Sequence, residues 1–387
     1  GEINGIVAIP LGLALAIASG VPPIYGLYTS IIAGVILAFF GGVELGVSGP
    51  AAAMSLLLLG IVTQYGFTGA LMVGFLAGVI QIVLGITGIG RVVKFIPYSV
   101  VTGFTTGIGF LILFTQLNNL TGITATADNP VGKLSVVLTH LNQTNLAAII
   151  LALSTLALVF FIPRLSKKIP AAFIALAITT IAAVVLSLPV QAIGEVPSGL
   201  PVFSIDFLDL SKIRELLPPA FAIALLASIE SLLSAVAADG MIGTKHSSNK
   251  ELVGQGIANI VLPFFRGIPC TGVIVRTATN INNGAKTRLS ALIHSLVLIL
   301  VVVFFAQFVE LIPLAVLAGI LVVTAIHLIA FDEVKYLLAD SKSEVVVFLA
   351  TVGSTLFFDL TTAILIGFSL AGLVFIKKIS ENVSVTL

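Results

Sequence analysis

What this chain can fold into is limited first by where its charges are not. Apolar stretches of near-bilayer length follow one another from residue 2 to residue 377, and most Lys, Arg, Asp and Glu residues fall in the connections between them. A membrane-spanning helix takes about 20 such residues. Only 9% of the 387 residues are charged and 58% are hydrophobic. A soluble domain carries about 25% charged residues, so the lipid bilayer is the main solvent of this chain. A net charge of +1 gives no reason to expect nucleic acid. The single Cys270 excludes an internal disulfide and a cysteine metal cluster. No nucleophile–base pair, metal-ligand cluster or phosphate loop is legible. The expectation is a protein that is not an enzyme, with no catalytic residues, no metal and no cofactor.

Fourteen apolar segments can be drawn, at 2–20, 24–40, 50–64, 67–89, 96–116, 144–163, 169–188, 216–238, 250–266, 272–284, 288–309, 313–330, 344–358 and 360–377. The longest polar connections are 117–143 and 189–215, and the second separates two sets of seven spans. With a cytoplasmic N-terminus, the inner loops collect Arg91, Lys94, Arg164, Lys167, Lys168, Lys245, Lys250, Lys286, Arg288, Lys335, Lys342, Lys377 and Lys378. The outer loops hold Lys133, Lys212, Arg214 and Arg266. Positive charge concentrated on the cytoplasmic side is the usual rule, and this count puts both termini there. Ile96-Pro97-Tyr98-Ser99-Val100-Val101-Thr102-Gly103 opens span five, and Ile312-Pro313-Leu314-Ala315-Val316-Leu317-Ala318-Gly319 opens span twelve with the same I-P-x-x-V-x-x-G pattern. Seven spans is an odd offset, so the halves would be inverted with respect to one another, as in secondary transporters. The fold expected is an all-α polytopic membrane protein with 14 transmembrane segments in a 7+7 inverted repeat.

Spans three and ten are shorter than the rest and are led in by Gly49-Pro50 and Ile268-Pro269. They read as half-helices entered from extended chain, and such backbone at membrane depth must line a cavity or be buried in protein. Each half-helix start presents unpaired N–H groups and about half a positive charge. Two starts that meet make an anion site. Ala51, Ala52 and Gly272 are small enough to let a ligand approach the backbone. Glu230 and Arg276 are ionisable residues inside apolar spans, which marks them as functional candidates. Arg276 is expected either to complement an anion or to pair with Glu230. Burial favours the neutral form of a carboxyl group, so Glu230 can carry a coupling proton. Ser234, one turn on, is expected to share a cation site or bond the carboxyl. His294 reads as a satisfied helix–helix contact, Cys270 as a packing residue, and Asp239, Lys245 and Lys250 as solvated loop charge. Gly34, Gly41, Gly42, Gly74, Gly78, Gly85 and Gly88 read as close-packing positions.

With these residues in view, the chain resembles the sulfate permease family, which includes the solute-carrier-26 anion transporters. Pro10 to Tyr28 looks like the signature of spans one and two, and Ser48-Gly49-Pro50-Ala51-Ala52 like the span-three motif. Ser248 to Asn259 is similar to the N-x-E-L-x-x-Q-G-x-x-N motif, and Val275 to Asn280 with Gly284 to Thr287 matches the span-ten region. The resemblance implies a core domain (about 1–89 and 216–309) and a gate domain (about 96–188 and 313–377), with an elevator-like movement of the core. It implies an anion held between the starts of spans three and ten with span one alongside. The substrate-binding residues would be Leu11, Leu15, Ser48, Gly49, Pro50, Ala51, Ala52, Thr271, Gly272, Val273, Val275 and Arg276, with Glu230 and Ser234 for ion coupling. It also implies a homodimer in a bacterial inner membrane. The chain looks trimmed at both ends, and the cytoplasmic regulatory (STAS) domain that many members carry is absent from it.

Two positions depart from the family. Leu11 and Leu15 stand where many members have Gln and an aromatic residue, so that wall of the pocket is apolar. Glu at the acidic position of span eight resembles bacterial members in which the coupling ion is a proton; an Asp occurs there in a sodium-coupled bicarbonate carrier. The leading expectation is proton-coupled symport of sulfate, a dicarboxylate or bicarbonate. The alternatives are an uncoupled anion channel or exchanger, or a sodium-coupled bicarbonate carrier, on the same fold. A nucleobase carrier of similar architecture would place carboxylates in both spans eight and ten, whereas span ten here carries Arg276.

Overall fold

A bilayer offers no water to bond exposed peptide groups, so the backbone must satisfy itself, and the helix does so within one segment. The chain is accordingly almost all helix. The computed structural model describes residues 1–88, 98–123, 130–166, 169–194, 199–329, 331, 334–335, 342–358, 362, 366, 369–370 and 372–373. In order, the elements are α1 (Glu2–Ala18), α2 (Ile24–Phe40), β1 (Ser48–Gly49), α3 (Ala52–Ile86), α4 (Tyr98–Thr121), α5 (Pro130–Thr139), α6 (Leu146–Leu165) and α7 (Ala171–Val185). They continue with α8 (Ile213–Ile242), α9 (Ser248–Val261), β2 (Thr271–Gly272), α10 (Ile274–Asn282), α11 (Leu289–Val309), α12 (Leu314–Ile329) and α13 (Lys342–Phe357). Five helices among the described residues are long and apolar enough to cross a membrane by themselves, and five further apolar helices are shorter.

Helices stand where the apolar segments predict them, up to 344–358. The segment 360–377 lies largely outside the described residues. So do Arg91, Lys94, Lys167, Lys168, Lys377 and Lys378, the Ile96-Pro97 opening of the first repeat motif, and 195–198 of the long connection. Segments 50–64 and 67–89 are two helical stretches that meet at Gly66, whose φ of 73° and ψ of 177° break the helix there and are open only to glycine. One difference is physical. The connection 117–143 is not a plain loop, because α5 occupies part of it. Pro130 suits a first helical position, and Val137 packs with Ile123.

α3 packs against α8 and α9, α2 against α9 and α11, α1 against α2 and α11, and α10 against α8. A second set joins α4 to α5, α12 and α13, and α6 to α7 and α12. α1 bridges the two sets through α7 and α12. In lipid there is little hydrophobic force between helices, so close approach does the work. α3 and α9 cross so tightly at Gly78 and Gly256 that a Cβ on either would lie 2.6 Å from the other's carbonyl oxygen.

Gly66 provides a test of this architecture. Gly66→Ala forces a side chain into that backbone region and should lower stability by about 1–3 kcal/mol. Gly60→Ala, in a position with open space around the Cβ, should be neutral or slightly stabilising. Thermal melting in detergent compares them; equal midpoints would mean that the bend at Gly66 is not held.

Candidate functional site

The two interruptions meet. The chain leading into α3 and the chain leading into α10 pair as antiparallel strands, with Ser48 opposite Gly272 and Gly49 opposite Thr271. The Val273 N–H extends the ladder by donating to the Val47 carbonyl at 3.0 Å. Buried peptide groups must be bonded, and each break supplies partners for the other. α3 then starts at Ala52 from an extended Ala51, and α10 at Ile274 from an extended Val273; neither start has a side-chain cap. The first intrahelical bonds run from Ser55 N–H to Ala51 and from Thr277 N–H to Val273. The N–H groups ahead of them point out of each helix, with the positive ends of two peptide dipoles.

α8 fixes β2 from one side. Thr271 Oγ1 donates to the Ala227 carbonyl at 2.9 Å, so Ser231 Oγ, 2.8 Å away, donates to Thr271 and accepts from Gly272 N–H at 2.9 Å. A Cβ on Gly272 would sit 3.1 Å from Ser231 Cα. The small residue there makes room for α8. Gly49 likewise gives room to the Arg276 guanidinium and Ser30. Ala51 and Ala52, each 8% exposed, remain the small residues on a helix start.

Three expectations for the ionisable centre change. Arg276 does not pair with Glu230: it is 1% exposed, turned behind the strands, and its Nη1 donates to Ser30 Oγ at 3.0 Å. α2 packs directly against β1, which brings that hydroxyl nearer than the carboxylate. Ser234 does not bond Glu230 either. Its hydroxyl donates to Thr277 Oγ1 at 3.1 Å, and Thr277 Oγ1 also accepts from Val47 N–H, which ties α8, α10 and the first strand together. Glu230 itself is half-buried beside the Ser231 anchor, and its Oε2 has no hydrogen-bond partner among the described residues. Asp239 is not a free loop charge; its Oδ2 meets His246 Nδ1 at 2.7 Å.

The remaining candidates are spread around this centre. Ser48 and Pro50 are buried, and Leu15 is buried on α1 with Leu11 partly so. α1 packs against both α3 and α10. Val273 is half-buried, whereas Val275 is 59% exposed and stands apart from the strand pair's packed interior.

The sequence reading assigned no site role to one face of α9, which proves central. Glu251, Gln255 and Asn259 are buried and lie one turn apart, at i, i+4 and i+8. Glu251 Oε2 accepts from Gly42 and Val43 N–H at 2.7 and 3.2 Å, and Oε1 from Gln255 Nε2 at 2.9 Å. Gln255 Nε2 also donates to Ser48 Oγ at 2.7 Å. Asn259 accepts from Cys270 N–H at 2.7 Å, and donates to the Cys270 carbonyl at 3.1 Å and to Gln81 Oε1 at 2.7 Å. One helix face thus holds both strand leads. The signal was present as three polar residues at helical spacing in an otherwise apolar span.

Apolar helices with a buried polar centre built on two uncapped helix starts define an integral membrane protein of the transporter class. Residues 1–351 match the model of the sulfate permease family. YvdB of Bacillus subtilis, whose name proposes sulfate transport, is 42% identical over 388 residues, 98% of this chain and 73% of that protein. The bicarbonate transporter BicA of Picosynechococcus sp. is 31% identical over 98% of this chain and 70% of its own. The solved transmembrane domain of a cyanobacterial BicA superposes with a TM-score of 0.84 at 31% identity, over 94% of this chain and 96% of that one. SLC26A9 superposes with a TM-score of 0.91 at 22% identity, over 98% of this chain and 64% of its own, a likeness of fold. The chain belongs to the sulfate permease family, whose members are transporters and not enzymes.

The α9 ladder carries a prediction. Asn259→Leu leaves Cys270 N–H and Gln81 Oε1 without their partner, at about 1–3 kcal/mol for each buried group left unsatisfied. Its melting temperature in detergent should fall clearly below that of the parent protein, with Gln255→Leu falling less because Glu251 keeps its two backbone donors. An unchanged melting temperature for Asn259→Leu would show that α9 does not hold the second strand.

Proposed function

We propose that this chain carries a small anion (sulfate, a dicarboxylate or bicarbonate) across a bacterial inner membrane as a proton-coupled symporter. The observation that carries the reading is the pair of uncapped helix starts joined by β1 and β2, with Arg276 behind them. That arrangement concentrates positive potential at the two helix starts. The named substrates of the relatives, sulfate and bicarbonate, are of the same chemical kind. In this reading the fold is the 14-span, 7+7 inverted repeat with half-helices at spans three and ten. Residues 1–89 and 216–309 form the moving core, and 96–188 and 313–377 the gate. The separate packing of the two helix sets supports that division. The protein works as a homodimer with both termini cytoplasmic. Leu11, Leu15, Ser48, Gly49, Pro50, Ala51, Ala52, Thr271, Gly272, Val273, Val275 and Arg276 surround the anion, and Glu230 with Ser234 serves coupling.

Coupling follows from the cost of moving a bare charge. A carboxylate that travels with the core past apolar gate helices loses hydration worth several kcal/mol. A protonated Glu230 does not, so the loaded core moves when proton and anion are both bound. Glu230→Gln fixes the neutral state. It should keep anion exchange and lose the acceleration of uptake that a lower external pH gives the parent protein in proteoliposomes. If it still accumulates anion against a gradient when external pH is lowered, the coupling ion or its carrier is another.

The anion site has its own test. Ala51→Phe should abolish uptake while the protein stays folded, because Ala51 is the extended residue from which α3 starts. Arg276→Ala should raise the KM for the anion at least tenfold, with a modest loss of thermal stability because no ion pair is broken. The readouts are radiolabelled uptake and thermal melting. Normal transport by both variants would place the substrate elsewhere.

A further inference from the structure

Behind the strand pair, a group of deeply buried side chains offers polar atoms that no described residue satisfies. Arg276 uses Nη1 on Ser30, but its Nε and Nη2 are unpartnered. His294 on α11 and Asn4 on α1 are 0% and 1% exposed, and both ring nitrogens and both amide heteroatoms are unpartnered. Asn280 holds the Leu45 carbonyl and Ser290 Oγ through Nδ2, and its Oδ1 is open.

These residues are neighbours. Ser30 and Gly34 are one turn apart on α2; Arg276 rests on the first, and the His294 ring lies over the second, with Cδ2 3.5 Å from where a Cβ would be. α1 passes the same turn of α11, where a Cβ on Gly5 would lie 3.2 Å from the His294 carbonyl oxygen, so Asn4 stands beside His294. Arg276 and Asn280 on α10 are opposite His294 and Ser290 on α11, each pair one turn apart. The open atoms are mixed: donors on Arg276 and Asn4, acceptors on Asn4 and Asn280, and one of each on a neutral imidazole. An anion would call for donors alone. A mixed set fits water, which makes about three hydrogen bonds when buried.

We propose that Asn4, His294 and Asn280 enclose a buried water site on the rear of the strand pair, and that His294 and Asn4 act through it as positioning residues for Arg276. Ser30 holds one corner of a planar, freely pivoting guanidinium. The water site holds the other edge and keeps the charge aimed at the helix starts, so the affinity for the anion depends on residues that never touch it. This rests on the reading of Arg276 as the charge behind the anion site.

The test is a double-mutant cycle on the KM for radiolabelled sulfate or bicarbonate, whichever the parent protein carries. His294→Leu and Asn4→Leu should each raise KM by about three- to tenfold with little change in maximal rate. His294→Gln, which keeps a donor and an acceptor, should stay within about twofold. In an Arg276→Ala background, neither leucine variant should change KM further, because contributions through one residue are not additive. Additive effects overturn the proposal, as does an unchanged KM in both leucine variants where Arg276→Ala raises it. If one leucine variant fails to fold, the other decides by the same cycle, and His294→Gln separates loss of polarity from loss of packing. If Arg276→Ala alone leaves KM unaltered, the anion-site reading falls and takes this inference with it.

Discussion

The structure depends on a short piece of antiparallel pairing in a place where water cannot substitute for it. Interrupting a helix in a bilayer exposes peptide groups at a cost of several kcal/mol each unless something else bonds them. Here two interruptions, Ser48–Gly49 and Thr271–Gly272, bond one another. The unusual backbone is stable only as a pair, and this is why both can end in helix starts that leave N–H groups free. A single break would need its own cap to bond the peptide groups that its partner bonds here.

Everything packed against the pair can be understood as holding it still. α8 reaches β2 through Ser231, and α10 and the first strand share Thr277 with Ser234. α9 reaches both leads through Gln255 and Asn259. The polar residues of these helices are spent on the backbone of the breaks. Arg276, the one buried Lys or Arg among the described residues, differs in that its single hydrogen bond is to a hydroxyl. A guanidinium in that position keeps its charge available to act at a distance.

Much of this was legible in the sequence. Gly-Pro and Ile-Pro ahead of two short apolar segments located the breaks, because a short, Gly- or Pro-interrupted apolar segment points to interrupted helix. Glu230 and Arg276 stood out as ionisable residues in apolar surroundings. Which of them touch was not legible. The pattern of spans says that Arg276 and Glu230 are both central, but whether a guanidinium turns toward α8 or α2 depends on side-chain direction across three helices. Gly272 is a similar case: a missing side chain signals close approach without saying that α8 is what approaches. α5 was missed because Pro130 and the polar residues around it resemble a loop until the packing of Val137 on Ile123 is known.

The register of Ser48 with Gly272 also sets an order of events during synthesis. The first strand is made early and its partner lies in the last third of the chain. For most of translation the first break has no partner, so α3 must wait in the membrane with an unfinished entrance. The centre of the molecule closes only when the second half threads back beside the first, and the helices made in between have to leave that lane open. A chain that stalls before β2 would therefore insert helices into the membrane yet leave an open peptide edge at their heart, which gives quality-control proteases a distinct feature by which to tell it from the finished protein.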